Sequence, residues 1–264
     1  MKKLFKSISI LVLICFSFFY TDRVINVINM NDPLMEKITD VKNKYEVLPV
    51  NAIIDNDTIM PGIKGREIDV DKSYDNMKLS KIFREEALIF KDLYPSNMLK
   101  DNKNKYIIGG NSSKKEVSII YIYNSRYSDE VMKIDNITLF MNHKDLTISN
   151  IKNLNDKDIY SYGNGGVYNK EVLVSDNSLI NTFANNKSKY CLVREKNEDI
   201  LKLCNENDMY VVIPTIFNGY YGVKSNLSNG SIIFLENLND IDVIIKYIKS
   251  KGYDIVSLSK LLSE

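Results

Sequence analysis

The sequence predicts an α/β protein, a parallel sheet or barrel of alternating β and α units, with a small N-terminal α+β region. Three observations predict it. From about residue 111 onward, short β-branched and aromatic runs alternate with amphipathic helical stretches, the pattern of a parallel sheet or barrel. Between Val47 and Leu93, apolar runs are shorter and broken by Asn56-Asp57, Pro61-Gly62 and Gly65, the texture of short strands and tight turns. The chain has 264 residues, 44% hydrophobic and 26% charged, enough for one large domain and an appendage.

At the N-terminus, Lys2, Lys3 and Lys6 precede an apolar run from Ile8 to Tyr20. As a helix that run spans roughly 20 Å, short of the roughly 30 Å hydrocarbon core and suited to the apolar stretch of a signal sequence. Phe18, Phe19 and Tyr20 are too bulky for a cleavage site, and Leu13-Ile14-Cys15 lacks the small residue of a lipoprotein signal. Residues 1–24 therefore read as an uncleaved signal-anchor, with a cleaved signal peptide next and a hydrophobic N-terminus with no export role as the remaining reading. Either of the first two puts the rest outside the cytoplasm, held at the membrane or secreted.

Residues 30–110 form the accessory region. A helix is expected over Met30–Lys44, with Leu34, Ile38 and Val41 on one side and Asn31-Asp32-Pro33 as its start. A short helix over Ser73–Met77 and a strand over Glu86–Leu93 follow. The loop Gly109-Gly110-Asn111-Ser112-Ser113 marks a boundary, and residues 111–264 form the second domain. Its strands are expected at Val117–Tyr123, Ile137–Met141, Ile159–Tyr162, Tyr190–Val193, Tyr210–Thr215, Ser231–Leu235 and Asp254–Leu258. Its helices are expected at Tyr127–Lys133, Asp145–Leu154, Leu173–Asn185, Glu198–Asn205 and Ile241–Lys251. The last is the most periodic, with Ile241, Ile244, Ile245 and Ile248 on one face before Gly252 stops it. In a barrel of this kind chemistry collects at the C-terminal ends of the strands, where the first strand ends in Ile122 and Tyr123.

Bulk charge narrows the partners. A net charge of +1 gives no field that would gather nucleic acid. Three cysteines do not make a disulfide framework. Cys15 lies in the apolar run; Cys204 shares a helical face with Ile200 and Leu203, which suits core packing. A Cys191–Cys204 bridge is permitted outside the cell, and spacing does not decide between the two.

Several segments together resemble a known family. N-G-S-I-I-F-L-E (Asn229–Glu236), a periodic helix and K-G-Y-D-I-V-S-L-S-K-L-L (Lys251–Leu262) resemble the C-terminal motifs of the NodB-homology polysaccharide deacetylases. N-E-D-I-L-K-L-C-N-E-N-D-M-Y-V-V (Asn197–Val212) is similar to the family's helix and strand after its third motif. K-E-V-S-I-I-Y-I-Y-N-S (Lys115–Ser125) and I-T-L-F (Ile137–Phe140) stand where the family has its first active-site strand and its next strand. The resemblance covers about 111–264 and implies a distorted, incomplete (β/α) barrel of NodB type.

The family's reaction, as the resemblance implies it, needs a metal held by one Asp and two His, with a second Asp as base and a late His as acid. On this chain the base falls on Ile122 and the metal Asp on Tyr123. The two ligand histidines fall on Tyr162 and Gly166, the third-motif Arg near Tyr190, and the late His on Glu236. The only histidine is His143, so a two-His metal site has no residues to form from. The expectation is a degenerate family member without metal or cofactor, binding cell-wall glycan or a wall-associated protein. Tyr123, Tyr160, Tyr162, Tyr168, Tyr220 and Tyr221 are expected to ring the former mouth with Glu236; aromatic faces with hydroxyl tips suit sugar, though ring packing would fill an emptied pocket equally well. The alternative is a rewired, metal-independent hydrolase acting on cell-wall glycan, built on Glu236, Asp129 and His143, the last pairing with Asp145 or Glu236.

Overall fold

A computed structural model describes residues 12–21 and 32–264. The greater part of the 1–24 signal-anchor reading lies outside the described residues; within it, residues 12–21 are helical (α1), and no helix among the described residues is long and apolar enough to cross a membrane.

The chain divides into two compact units, one of residues up to Pro49 with Lys64–Tyr94, the other of Val50–Ile63 with Pro95–Glu264. Residues 50–63 and 95–110, upstream of the Gly109-Gly110 loop, belong to the larger unit. Its first strands are β1 (Ile53–Asp55) and β2 (Thr58–Met60).

The smaller unit is α+β. It comprises α2 (Pro33–Asp40), α3 (Lys42–Tyr45), α4 (Val70–Met77) and the antiparallel strands β3 (Gly65–Ile68) and β4 (Phe90–Leu93). Asp32 caps α2 by accepting from Leu34 N–H at 2.8 Å, with Pro33 in the first turn. Leu34, Met35 and Ile38 of α2 pack with Ile68, Tyr74, Met77 and Leu88 into its core.

The larger unit continues with β5 (Tyr106–Ile107), β6 (Glu116–Ile122), β7 (Thr138–Met141), β8 (Asp158–Ser161), β9 (Tyr190–Leu192), β10 (Tyr210–Val212), β11 (Ile232–Leu235) and β12 (Asp254–Ile255). Helices α5 (Ser128–Met132), α6 (Ile148–Asn153), α7 (Lys170–Phe183) and α8 (Glu198–Glu206) alternate with them. They are followed by α9 (Gly219–Asn226), α10 (Ile241–Ser250) and α11 (Leu258–Leu261). One sheet runs β11-β6-β7-β8 with β12 beside β6, all parallel. The other runs β1-β2-β5-β10-β9 and is parallel except for β1 against β2. Past the end of β10, Ile216 bridges in parallel to Ile233 of β11, and β8 and β9 are not paired. At that gap the Asn186 side-chain amide accepts from Ile159 N–H (3.0 Å) and donates to Ile159 O (2.8 Å), standing in for a missing strand. The barrel is thus distorted and unclosed, as the resemblance implies.

Strand alternation sorts the side chains. Ile120, Phe140, Tyr160, Leu192, Val212 and Phe234 turn inward and fill the barrel. Val117, Ile119, Tyr121, Leu139, Ile159 and Ile233 turn outward against Ile151, Ile180, Val223, Ile244 and Ile248 of the helices. On β9 and β10, Cys191 and Val211 pack with Leu173, Cys204 and Met209. There Cys191 and Cys204 form a disulfide across thirteen positions, so the bridge that spacing left open is the arrangement adopted.

Candidate functional site

The C-terminal ends of β6, β7, β8 and β11 bring together most of the positions where the NodB resemblance places chemistry. Ile122 closes β6, half-buried on the inward face with Tyr162, Phe217 and Phe234. Tyr162 follows β8, its N–H donating to Met141 O at 2.7 Å. Glu236 follows β11 and pairs with Arg194 Nη1 at 2.9 Å, while the Arg194 guanidinium lies 4.8 Å from the centre of the Phe234 ring. Arg194 and Glu236 are both about half exposed or more, so the pair adds little stability and its donors and acceptors remain open to solvent.

Tyr123 behaves differently from its neighbour. Its side chain is 2% exposed and turns to the outward layer with Tyr121, Val131 and Ile134, away from Ile122. Strand parity dictates this, since consecutive residues face opposite sides. The expected ring of tyrosines at the mouth is corrected at four further positions. Tyr168 is buried as a staple between strands: its hydroxyl accepts from Leu192 N–H (3.0 Å) and lies 3.2 Å from the carbonyls of Ser161 and Leu192. Tyr160 lies mid-strand inside the barrel, its ring 5.4 Å from Phe140 and 5.2 Å from Tyr190. Tyr220 and Tyr221 stand on α9 rather than a loop; Tyr220 meets Tyr221 edge to face at 6.0 Å and Tyr247 of α10 at 5.7 Å. Burial pushes the hydroxyls of Tyr160, Tyr168 and Tyr190 well above the ordinary tyrosine range, so none supplies a phenolate base at neutral pH.

The Y-G-N-G-G turn does what its glycines allow. Gly163, Gly165 and Gly166 have φ of +57°, +68° and +89°. Gly166 N–H donates to Tyr162 O at 2.8 Å, and a Cβ on Gly166 would stand 3.0 Å from the Tyr162 hydroxyl. The Tyr162 ring therefore occupies the space a side chain at 166 would need. Gly166→Ala is expected to cost about 1–2 kcal/mol, from positive φ and from that contact. Urea denaturation checks it, and a smaller loss in a Tyr162→Ala background would measure the coupling.

His143 is the other group at this end. It pairs neither with Asp145 nor with Glu236: its Nδ1 lies 2.6 Å from Asp176 Oδ1, and Ser161 Oγ donates to Asp176 Oδ2 at 2.5 Å. Asp176 is fully buried, whereas the imidazole is 43% exposed. A carboxylate only accepts, which places the ring proton on Nδ1 and leaves Nε2 toward solvent. The backbone completes the lacing, with His143 N–H donating to Gly163 O (2.8 Å) and Gly165 N–H to Asn142 Oδ1 (3.1 Å). Asp129 and Glu130 are exposed on α5, and Ser125 and Arg126 precede them on an exposed turn.

Asp176 and Arg194 are the residues the sequence reading did not single out. Each left a trace: Asp176 interrupts the apolar face of α7 between Leu173 and Ile180, and Arg194 follows β9 at its C-terminal end.

The residues present do not fit the metal the resemblance implies. Ile122 and Gly166 carry no donor atom, Tyr123 is turned into the core, and His143 has one nitrogen committed to Asp176. Among the described residues no group of three or more His, Cys, Asp or Glu is placed to hold an ion.

No protein-family model matches the chain. The chain is similar to the uncharacterized protein YlxY of Bacillus subtilis (strain 168), 32% identical over 103 residues, which are 39% of this chain. The match spans 32% of that relative, about a third of its length. Among solved structures it is similar to BA3943, a CE4 family pseudoenzyme from Bacillus anthracis, with a TM-score of 0.64 and 23% identity over 89% of this chain and 96% of that one. A mutant of BA3943 with restored enzymatic activity matches with a TM-score of 0.63 and 22% identity, over 87% of this chain and 98% of that one. These likenesses show the fold: it is the NodB-type fold of carbohydrate esterase family 4.

Proposed function

We propose that this chain, built on the NodB-type fold of carbohydrate esterase family 4, is a pseudoenzyme of that family that binds cell-wall glycan outside the cytoplasm. One observation carries the reading: at the strand ends where the family has its acid, base and metal ligands, this chain has Ile122 and Tyr162 in an apolar layer, and Tyr123 in the core. With the family's metal-donor set and its base carboxylate both missing from their aligned positions, the mouth is read as a recognition surface. Arg194, Glu236 and the solvent-facing side of His143 supply donors and acceptors suited to sugar hydroxyls and amides. The positively charged, apolar N-terminus supports membrane anchorage, and the Cys191–Cys204 bridge agrees with an oxidising compartment.

The His143–Asp176 pair favours the second reading, a rewired hydrolase, to the extent that it holds an imidazole in one tautomer. It lacks a neighbouring nucleophile: the hydroxyl in this network, Ser161 Oγ, is bonded to Asp176 and not to the ring.

Both readings meet one experiment. The full chain is titrated with zinc by calorimetry and incubated with N-acetylglucosamine oligomers and peptidoglycan while acetate is assayed. The expected result is no tight zinc binding, no acetate, and retention of the chain on purified peptidoglycan that weakens in Arg194→Ala/Glu236→Ala. Sub-micromolar zinc affinity with acetate release would overturn it. Acetate without zinc would select the rewired hydrolase, and no retention on glycan would turn the assignment to a wall-associated protein partner.

A further inference from the structure

The smaller unit exposes two large apolar side chains on one short loop. After α4 ends at Met77, the chain runs Lys78-Leu79-Ser80-Lys81-Ile82-Phe83-Arg84; Leu79 is 95% exposed and Ile82 62%. Exposed single apolar residues are ordinary, but two on one tip, with Lys78, Lys81 and Arg84 and no acid between them, are a pattern.

The loop is also held. Ser80 N–H and Lys81 N–H both donate to Met77 O at 3.1 Å, and the Ser80 hydroxyl reaches the same carbonyl at 2.9 Å. Lys81 takes φ +52°, and Phe83 packs against the core that contains the fully buried Met77. The inward residue thus fixes the tip, and the two apolar side chains beside it are presented to solvent without covering anything.

We infer that the 78–84 loop docks on an anionic membrane surface, with Leu79 and Ile82 entering the headgroup boundary and Lys78, Lys81 and Arg84 meeting lipid phosphates. Charge complementarity carries the choice of lipid, since each cation near such a surface adds attraction and the apolar pair supplies insertion. The opposing charges nearby are Asp75, in a solvent-exposed pair with Lys78 at 2.6 Å, Asp32, engaged by Leu34 N–H and the Tyr74 hydroxyl, and the exposed Glu85 and Glu86 just past Arg84, of which Glu85 is engaged by Lys44 and the Tyr45 hydroxyl. Geometry carries the choice of a bilayer. Asp32, Pro33 and Lys37 line a cleft of about 310 Å³ together with Lys81 and Phe83, so the loop sits where the chain enters the unit. Residues 22–31, at no more than ~3.6 Å each, tether that point within roughly 40 Å of the apolar run ending at Tyr20. The inference rests on the N-terminal membrane anchorage proposed above and not on what the barrel binds.

The chain contains no tryptophan, so a single Leu79→Trp substitution in the full chain gives a clean depth probe. In vesicles of phosphatidylglycerol and phosphatidylcholine, the emission of the introduced indole is expected to shift to the blue and to be quenched by brominated acyl chains. Lys78→Gln/Lys81→Gln/Arg84→Gln in the same background should abolish the quenching while the chain stays bound through its N-terminus. Water-like indole emission in all vesicles would overturn the proposal. So would equal quenching in pure phosphatidylcholine or in the triple variant, since charge would then play no part. An unchanged melting temperature of the Leu79→Trp variant guards against a folding artefact.

Discussion

Tyr123→Asp, which reinstates the carboxylate of the NodB family at its aligned position, is expected to destabilise the larger unit by about 3–5 kcal/mol. The ring it removes is 2% exposed and belongs to the layer that holds Val131, Ile134, Tyr121 and Leu139, so truncation leaves a cavity between sheet and helices. A carboxylate in that apolar layer loses most of its water, which adds a desolvation penalty or forces the segment after β6 to twist toward the mouth. That twist would strain the Tyr123 N–H bond to Phe140 O, now 2.9 Å. Ile122→Asp is the matched comparison, since Ile122 is only half-buried at the barrel end and its carboxylate can reach water. Denaturant midpoints of the two variants should therefore differ widely, with Tyr123→Asp much the weaker. Equal losses would mean that the ring at 123 contributes no more than its neighbour, and that the site could be rebuilt by substitution at the mouth. On the pseudoenzyme reading proposed above, that difference would place the residue aligned with the family's metal Asp in the core of this chain.

Much of this was legible in the sequence, and what was not has particular causes. The run Val117–Tyr123 gave itself away as a strand by its β-branched and aromatic content, and α10 by its four isoleucines on one face. The orientation of Tyr123 was also readable, because Val117, Ile119, Tyr121 and Tyr123 share one strand face and Ile120 and Ile122 the other. Placing Ile122 and Tyr123 together at the mouth followed the family's paired carboxylates and overlooked that parity. Helix α9 was hidden by its opening Gly-Tyr-Tyr-Gly, which reads as loop on propensity. Packing of Gly222 and Val223 against the barrel overrides it, which is why Tyr220 and Tyr221 are helical surface residues. Arg194 and Glu236 lie 42 positions apart, and no local pattern announces their meeting. The degenerate set itself was the most legible feature, since it needed only the count of one histidine.

The disulfide shows the same limit most sharply, and its removal is the second large effect. Cys191 lies on β9 and Cys204 on α8, both fully buried with Leu173, Met209 and Val211. Thirteen positions separate them, a distance equally compatible with two packed thiols; only the docking of α8 on β9 and β10 decides. Closing a loop of that size restricts the unfolded chain by about 3 kcal/mol. Cys191→Ala/Cys204→Ala is therefore expected to lower the melting temperature by roughly 10 °C, using the few degrees per kcal/mol typical of a domain this size. Because both sulfurs are enclosed, reductant should act slowly on the folded chain and quickly once denaturant opens it. Thiol counting gives an independent check. Denatured without reductant, protein recovered from the cell envelope should expose one alkylatable thiol, Cys15, and after reduction three. Three thiols at the outset, or identical melting of the double variant, would remove the bridge as a stabilising element. It would also withdraw the support the bridge lends to an extracytoplasmic location, because an oxidising compartment is what keeps such a bond closed.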